Sequence, residues 1–202
     1  MSTHAYAPAR PLPASLAAVV IGASAGGVEA LLAVLADLRG GGPAVIVVLH
    51  MPEDRDSILA DLLAQRLALP VAEAVDKLPV QPGTLYVAPP GYHLLVERGG
   101  TLALNCDPPV LFSRPSINLL FETAADAWGP GLAGIVLTGA NEDGAQGLAA
   151  IHRAGGYTVV QDPAQAQAAT MPRAALATHT PDAVLPLADI RALLAQMETS
   201  HG

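Results

Sequence analysis

Aromatic residues and cysteine are scarce in this sequence. The first scarcity limits what can build the core, and the second excludes a protein held together by internal disulfides. Phe, Trp and Tyr make up 3% of the 202 residues. The core must therefore be built from Ala, Val, Leu and Ile, which suits helices packed on parallel strands. The single cysteine, Cys106, cannot form an internal disulfide and lies beside no cluster of metal ligands. We therefore expect a reducing compartment, the cytoplasm, and neither a metal nor another cofactor.

Charged residues are also few, and their balance is acidic. They amount to 14% of the chain against 51% hydrophobic residues, with a formal net charge of −8. So apolar a chain is not disordered as a whole, and its acidity argues against a nucleic-acid partner. No apolar stretch reaches the roughly 18 residues of a spanning helix. Residues 1–13 lack the apolar core of a secretory signal, so we expect no membrane insertion.

Patterns of buried strands and amphipathic helices alternate along the chain. They predict an α/β fold: a doubly wound, mainly parallel sheet with helices on both faces. The predicted strands are 17–21, 44–49, 71–74, 84–88, 132–137 and 157–160, and the predicted helices are 28–38, 57–69, 116–128, 143–154, 163–169, 172–178 and 187–197. Segments 93–97 and 101–105 flank an Arg-Gly-Gly turn and predict an inserted antiparallel β-hairpin. We expect one domain over 17–197, a disordered tail over 1–16 and a C-terminal tail over 198–202.

A glycine-rich turn after the first predicted strand carries a serine. Ser24 is the centre of G-A-S-A-G at 22–26, between apolar residues and a predicted helix, which is the context of a nucleophile elbow. Small neighbours permit a tight turn, and N–H groups at the helix start would stabilise an oxyanion. The alternative is an N-cap serine on a phosphate-binding loop. That alternative is weaker because the turn lacks GxGxxG and the second strand ends in His50 rather than an acidic residue.

Two more polar residues follow predicted strands and would complete a Ser-His-Asp set. Ligands of an open parallel sheet collect beyond the C-terminal strand ends, where His50 and Asp143 lie. His50 would take the serine proton, and Asp143 would orient the imidazole. Alternatively, His50 is structural and Asp143 caps the helix that follows it. The rival bases are His93 and His152, and the rival carboxylates are Glu142 and Asp162.

The assembled motifs resemble the catalytic domain of chemotaxis protein-glutamate methylesterases of the CheB type. In order, they are IGASAGG at 21–27, HMP at 50–52, YVAPPG at 86–91 with His93, RPS at 114–116, LTG at 137–139, DGA at 143–145 and MPR at 171–173. Each motif is modest, but the ordered set is specific and spans roughly residues 17–195. The resemblance implies a Ser24-His50-Asp143 triad that hydrolyses glutamyl methyl esters and releases methanol, often with deamidation of glutamines. The implied partners are methylated cytoplasmic helices of chemoreceptors or a similar methylated protein.

The chain departs from the family pattern beside the nucleophile and in the expected oxyanion region. Ala25 stands where Thr is common, and Ala140-Asn141 stand where Met-Gly is common. The candidates for oxyanion or substrate contacts are Ala25, Gly26, Ala140, Asn141, His93 and Arg114. Family members usually carry a receiver domain, whereas about sixteen residues precede the first predicted strand here. We expect a stand-alone esterase or a piece of a longer protein, with any regulator acting in trans.

Two other functions stay open at this point. One is a non-catalytic binding module that retains the fold, and the other is an esterase or amidase that acts on small molecules. The chain order Ser, His, Asp differs from the Ser, Asp/Glu, His order of α/β-hydrolases, so a common lipase fold is disfavoured.

Overall fold

A seven-stranded parallel sheet forms the centre of the computed structural model, which describes residues 10–51 and 58–199. Its strands are β1 (Ala18–Ala23), β2 (Ala44–Leu49), β3 (Val71–Glu73), β4 (Leu85–Val87), β7 (Leu132–Val136), β8 (Tyr157–Gln161) and β9 (Ala183–Leu185). They are ordered β3-β4-β2-β1-β7-β8-β9, and every neighbouring pair is parallel. The predicted doubly wound parallel sheet is therefore confirmed.

The predicted hairpin is also confirmed, as a separate two-stranded unit. Strands β5 (His93–Glu97) and β6 (Thr101–Asn105) pair antiparallel and are not part of the main sheet. Leu94 and Leu102 are fully buried in the core on one face of the main sheet. The hairpin thus packs on the domain instead of extending its sheet.

Helices cover both faces of the sheet. Helices α1 (Gly27–Leu35), α2 (Leu59–Arg66) and α6 (Leu187–Thr199) contribute to the core on one face, and α3 (Ile117–Trp128), α4 (Ala145–Arg153) and α5 (Thr170–Thr178) to the core on the other. Successive side chains of β1 alternate between the two cores, with Ile21 in the first and Val20 in the second. All six residues of β1 are buried, which explains why a doubly covered strand is a continuous apolar run. A short 3-10 helix (Gly129–Gly131) precedes β7.

The predicted helix over 163–169 is wrong, because this segment forms turns and its end bonds to the loop after β7. The N–H of Gly139 donates to the carbonyl of Ala168 at 3.0 Å, and the Thr138 hydroxyl accepts from the N–H of Ala168 at 2.9 Å. Helix α5 begins only at Thr170. Strand β9 was not predicted, since a three-residue strand is too short to show a periodic pattern.

The expected disordered tail over 1–16 is wrong in part, because Arg10 and Leu16 contact the rest of the domain. Leu16 is buried, and the Arg10 guanidinium donates to the carboxylate of Asp182 at 2.6 Å and to the carbonyl of Gly155 at 3.2 Å. At the other end, Glu198 lies in α6 rather than in a tail. The described residues exclude 1–9, 52–57 and 200–202. The rest of both predicted tails, Pro52 of the His-Met-Pro motif and Ser57 at the start of a predicted helix fall there. Within the described part of the chain, no helix is long and apolar enough to cross a bilayer.

Candidate active site

The strand order reverses at β1, which lies between β2 and β7. Ligands of open α/β sheets bind beyond the carboxyl ends of the strands at such a point. Ala23 of β1 pairs with Leu49 of β2, so Ser24 and His50 are the next residues of two adjacent strands. The sheet register thus brings the predicted serine and histidine to one edge, and Asp143 follows β7 on the other side of β1.

The turn that carries Ser24 is held on both sides by hydrogen bonds. Its N–H donates to the carbonyl of Thr138 at 2.9 Å, and its carbonyl accepts from the N–H of Gly27 at 2.8 Å. The hydroxyl of Thr138 donates to the carbonyl of Ala25 at 2.8 Å. Gly26 has a φ of 75°, and a Cβ at this position would overlap the side chain of Gln167. The glycine is therefore needed for the tight turn that leads into α1.

Four backbone N–H groups, two in the turn after Ser24 and two in the loop after β7, make no hydrogen bond to a described residue. Among the described residues, none accepts a hydrogen bond from the N–H of Ala25, Gly26, Ala140 or Asn141. Ala25 and Ala140 are exposed. These are the residues that the sequence singled out as oxyanion candidates, and unpaired N–H groups are what such a role requires.

His50 and Asp143 form a buried hydrogen-bonded pair above the end of β1. His50 Nε2 lies 2.9 Å from Asp143 Oδ2, and the side chains are 10% and 0% exposed. Because His50 follows β2 and Asp143 follows β7, the pair spans the strand between them, whose next residue is Ser24. Two of the three predicted catalytic residues are thus in contact, and the third lies at the same strand end.

The carboxylate of Asp143 also caps helix α3. It accepts hydrogen bonds from the N–H of Ile117 at 2.6 Å, the N–H of Asn118 at 3.0 Å and the hydroxyl of Ser116 at 3.0 Å. An anion at a helix N-terminus is stabilised by the helix dipole. The alternative that Asp143 caps the following helix is wrong, because α4 begins at Ala145 with Gly144 as its N-cap.

Ser116 is the N-cap of α3. Its hydroxyl oxygen accepts from the N–H of Leu119 at 3.5 Å while donating to Asp143. One serine therefore connects the start of α3 to the carboxylate that holds His50.

The other nitrogen of His50 faces a serine that the sequence motifs did not single out. Ser113 Oγ lies 3.4 Å from His50 Nδ1, and Asn141 Nδ2 lies 3.5 Å from the same nitrogen and 3.3 Å from Ser113 Oγ. Only the position of Ser113, directly before the Arg-Pro-Ser motif, could have drawn attention to it. Within the described residues, no hydrogen bond joins the Ser24 hydroxyl to His50.

The candidate rim residues His93 and Arg114 hold the loop that leads into α3. His93 is fully buried, its Nδ1 accepts from the N–H of Ser116 at 3.1 Å, and its Nε2 lies 3.2 Å from the carbonyl of Pro108. Arg114 donates to the carbonyl of Cys106 at 3.0 Å. These contacts position the loop, and a substrate-binding role for either residue stays a prediction.

The rival residues named by the sequence lie elsewhere. The ring of His152 packs 5.0 Å from that of His179. Glu142 is exposed, and Asp162 accepts from the N–H of Ala164 at 2.9 Å. Asp143 is the carboxylate that contacts His50. Across residues 10–51 and 58–199, no group of three or more His, Cys, Asp or Glu could hold a metal ion.

Known proteins are similar to this chain in sequence and in architecture. The family model described as CheB methylesterase matches residues 19–194. A Leptospira interrogans protein, assigned provisionally as a protein-glutamate methylesterase/protein-glutamine glutaminase, is 41% identical over 185 residues, which are 91% of this chain and 96% of that protein. A protein-glutamate methylesterase/protein-glutamine glutaminase of Anaeromyxobacter dehalogenans is 45% identical over 171 residues, 84% of this chain. The match covers 49% of that relative, so the chain spans about half of its length.

A solved structure supports the same relationship. The crystal structure of the Thermotoga maritima CheB methylesterase catalytic domain superposes with a TM-score of 0.85 at 29% identity. The match covers 90% of this chain and 98% of that one. Taken together with the site at the end of β1, these matches show that the chain belongs to the CheB methylesterase family.

Proposed function

We propose that this chain is a serine hydrolase that removes methyl esters from glutamate side chains of a methylated protein. Ser24 is the nucleophile, His50 the base and Asp143 the residue that orients the base. The observation that carries this proposal is the hydrogen bond between His50 and Asp143, which spans the end of the strand that leads to Ser24. The names of the relatives, which specify protein glutamate and glutamine, support the substrate class.

The hydrogen bonds of His50 support Nδ1 as the nitrogen that acts as the base. An ionised carboxylate only accepts, so the Asp143 bond assigns the ring proton to Nε2 and leaves a lone pair on Nδ1. The hydroxyl of Ser24 passes its proton to this lone pair while its oxygen attacks the acyl carbon of the ester. The negative charge that forms on the acyl oxygen is stabilised by the open N–H groups around Ala25 and Ala140.

The proton on Nδ1 then moves to the leaving methoxide, which departs as methanol. Water attacks the acyl-enzyme, His50 takes one of its protons, and collapse of the intermediate releases the glutamate carboxylate and restores the Ser24 hydroxyl. A glutamine substrate would follow the same steps, with ammonia as the leaving group. Deamidation is therefore proposed as a second reaction of the same three residues.

The proposed substrates are the methylated cytoplasmic helices of chemoreceptors, which places the chain in the cytoplasm. The single cysteine, Cys106, is an exposed free thiol, which suits a reducing compartment. A regulator that acts in trans is part of the same proposal.

The test is methanol release from methylated receptor fragments, comparing the wild type with Ser24→Ala. We expect the variant to lose activity by a factor on the order of 10³ or more with an unchanged thermal unfolding midpoint. Ser15→Ala, which alters an exposed residue before β1, should match the wild type. Unchanged release by Ser24→Ala would disprove the nucleophile. Turnover of activated small esters without action on receptor fragments would favour the small-molecule esterase or amidase.

A further inference from the structure

The base nitrogen of His50 is occupied in this structure. Because Asp143 holds Nε2, the lone pair on Nδ1 is the acceptor for any further hydrogen bond of the neutral ring. Ser113 Oγ lies 3.4 Å from Nδ1 and has a hydrogen that can point to it. Ser113 thus stands where a nucleophilic hydroxyl would stand in a working triad.

The direction of the hydrogen bonds around Ser113 is fixed by Asn141. The Oδ1 of Asn141 accepts from the N–H of Asp143 at 3.2 Å, which orients the amide so that Nδ2 faces Ser113. Nδ2 then donates to Ser113 Oγ at 3.3 Å. Since the oxygen of Ser113 accepts this bond, its own hydrogen is left to donate to His50 Nδ1.

These bonds are long, and a long hydrogen bond is easily exchanged. Distances of 3.3 to 3.5 Å among Ser113, Asn141 and His50 lie beyond the usual range for hydroxyl and amide donors. By contrast, the bond from His50 to Asp143 is 2.9 Å long and buried. The imidazole is therefore firmly held on its Asp143 side and weakly held on the side that must receive a proton.

We propose that Ser113 is a positioning residue that occupies the base nitrogen of His50 in the resting enzyme and yields it to Ser24 during catalysis. This inference rests on the proposed function. When Ser24 replaces it, Ser113 keeps its proton and turns to another acceptor, so Nδ1 is free to take the proton of Ser24. Ser113 acts through His50, and its bond to Nδ1 competes with the bond that activates the nucleophile.

The backbone that carries Ser113 is a tight turn whose tip faces solvent. The N–H of Ser113 donates to the carbonyl of Val110 at 2.8 Å, and the N–H of Val110 donates back at 3.1 Å. Leu111 and Phe112, between them, are both exposed.

The experiment compares Ser113→Ala and Ser113→Thr with the wild type in two measurements. The first is the ¹⁵N resonance of His50 Nδ1, which reports the hydrogen bond without any catalysis. The second is the second-order rate at which a serine-directed phosphonate labels Ser24. Thr199→Ala, which removes an exposed hydroxyl at the end of α6, is the matched control, and thermal unfolding midpoints check the fold of each variant.

We expect Ser113→Ala to shift the Nδ1 resonance and to raise the labelling rate about fivefold, the factor that corresponds to one ordinary hydrogen bond. Ser113→Thr keeps the hydroxyl and should restore both values to about those of the wild type. An unmoved resonance in Ser113→Ala, or a labelling rate equal to or below the wild-type rate, would overturn the proposal. Absence of a Ser24 adduct in the wild type would count against the proposed triad, while the resonance would still decide whether Ser113 binds His50.

Discussion

Asp143 accepts a hydrogen bond from the backbone N–H of Ile117 at 2.6 Å, through the same oxygen that accepts from His50. The first residue of α3 and the candidate catalytic base thus depend on one carboxylate oxygen. The arrangement couples the orientation of His50 to the packing of a helix that contacts β1. Activity and stability should therefore respond together when Asp143 is changed.

Asp143→Asn is predicted to reduce both the activity and the stability of the protein. The amide nitrogen of Asn cannot accept a hydrogen bond. It would face either His50 Nε2–H or the buried N–H groups of α3, and that donor would lose its acceptor. We expect kcat to fall about 10³- to 10⁴-fold and the free energy of unfolding to fall by about 1–3 kcal/mol. Methanol-release kinetics and urea unfolding measure the two effects. Glu142→Gln, which alters the exposed neighbouring carboxylate, should change neither, and a fully active Asp143→Asn would remove Asp143 from the triad.

Gly26→Ala is predicted to distort the turn that presents Ser24. The residue has a φ of 75°, and its Cβ would overlap the side chain of Gln167. Left-handed backbone costs a non-glycine residue about 1–2 kcal/mol, and a displaced nucleophile lowers kcat by about 10- to 100-fold. The comparison is Gly99→Ala, where a Cβ meets no atom within 4 Å. Equal unfolding free energies and equal kcat for the two variants would contradict the role assigned to the turn.

Phe112→Gly is predicted to stabilise the domain. Phe112 has a φ of 63° and Leu111 a φ of 48°, conformations that hairpin turns usually reserve for Asn and Gly. Because Phe112 is fully exposed, its removal loses no packing, and relief of strain should add about 1 kcal/mol to the free energy of unfolding. Phe112→Ala removes the ring but keeps the Cβ. If urea unfolding shows that Ala stabilises as much as Gly, backbone strain is not the cause.

His179 is predicted to make the fold sensitive to acid. Burial, reinforced by the neighbouring charge of His152, lowers the pKa of His179 from 6.5 to about 4. His179 therefore binds a proton near pH 6.5 in the unfolded chain but only near pH 4 in the folded protein. The contribution of the neutral His179 ring to the free energy of unfolding is complete above pH 6.5 and is lost as the pH falls towards 4. We expect the loss to be on the order of 1 kcal/mol, because the half-buried ring is partly screened by solvent.

The measurement is urea unfolding at several pH values between 7 and 4 for the wild type and His179→Gln. The variant has no imidazole to protonate at this position, so its free energy of unfolding should decline less over that interval. His201→Gln, near the C-terminus, serves as a control for the removal of one histidine. Parallel curves for the wild type and His179→Gln would show that His179 is not the source of the acid sensitivity.

The elements that carry the candidate catalytic residues could be predicted from the sequence because their signals are local. A continuous apolar run that ends in a small-residue turn predicts a doubly covered strand and places Ser24 at its end. The same pattern places His50 after β2. Since the carboxyl ends of parallel strands share one edge, the fold class predicts that these residues lie at the same edge of the sheet.

Contacts between distant segments left no local signal. The segment over 163–169 has helical residues, yet its backbone bonds to the loop after β7 and forms turns. Arg10 lies in a stretch rich in Pro and Ala, yet it reaches Asp182, 172 residues away in the sequence. In both cases tertiary hydrogen bonds outweigh a weak local preference.

The sequence by itself determined which residues stand at the strand ends and, through the ordered motifs, which family they indicate. Only the tertiary structure decided how these residues are used. In the folded chain, Asp143 accepts hydrogen bonds from the start of α3 as well as from His50, and Ser113 lies beside Nδ1 of His50. The physical reason is that a hydrogen bond depends on positions a few ångströms apart in space, whereas His50 and Asp143 are 93 residues apart along the chain.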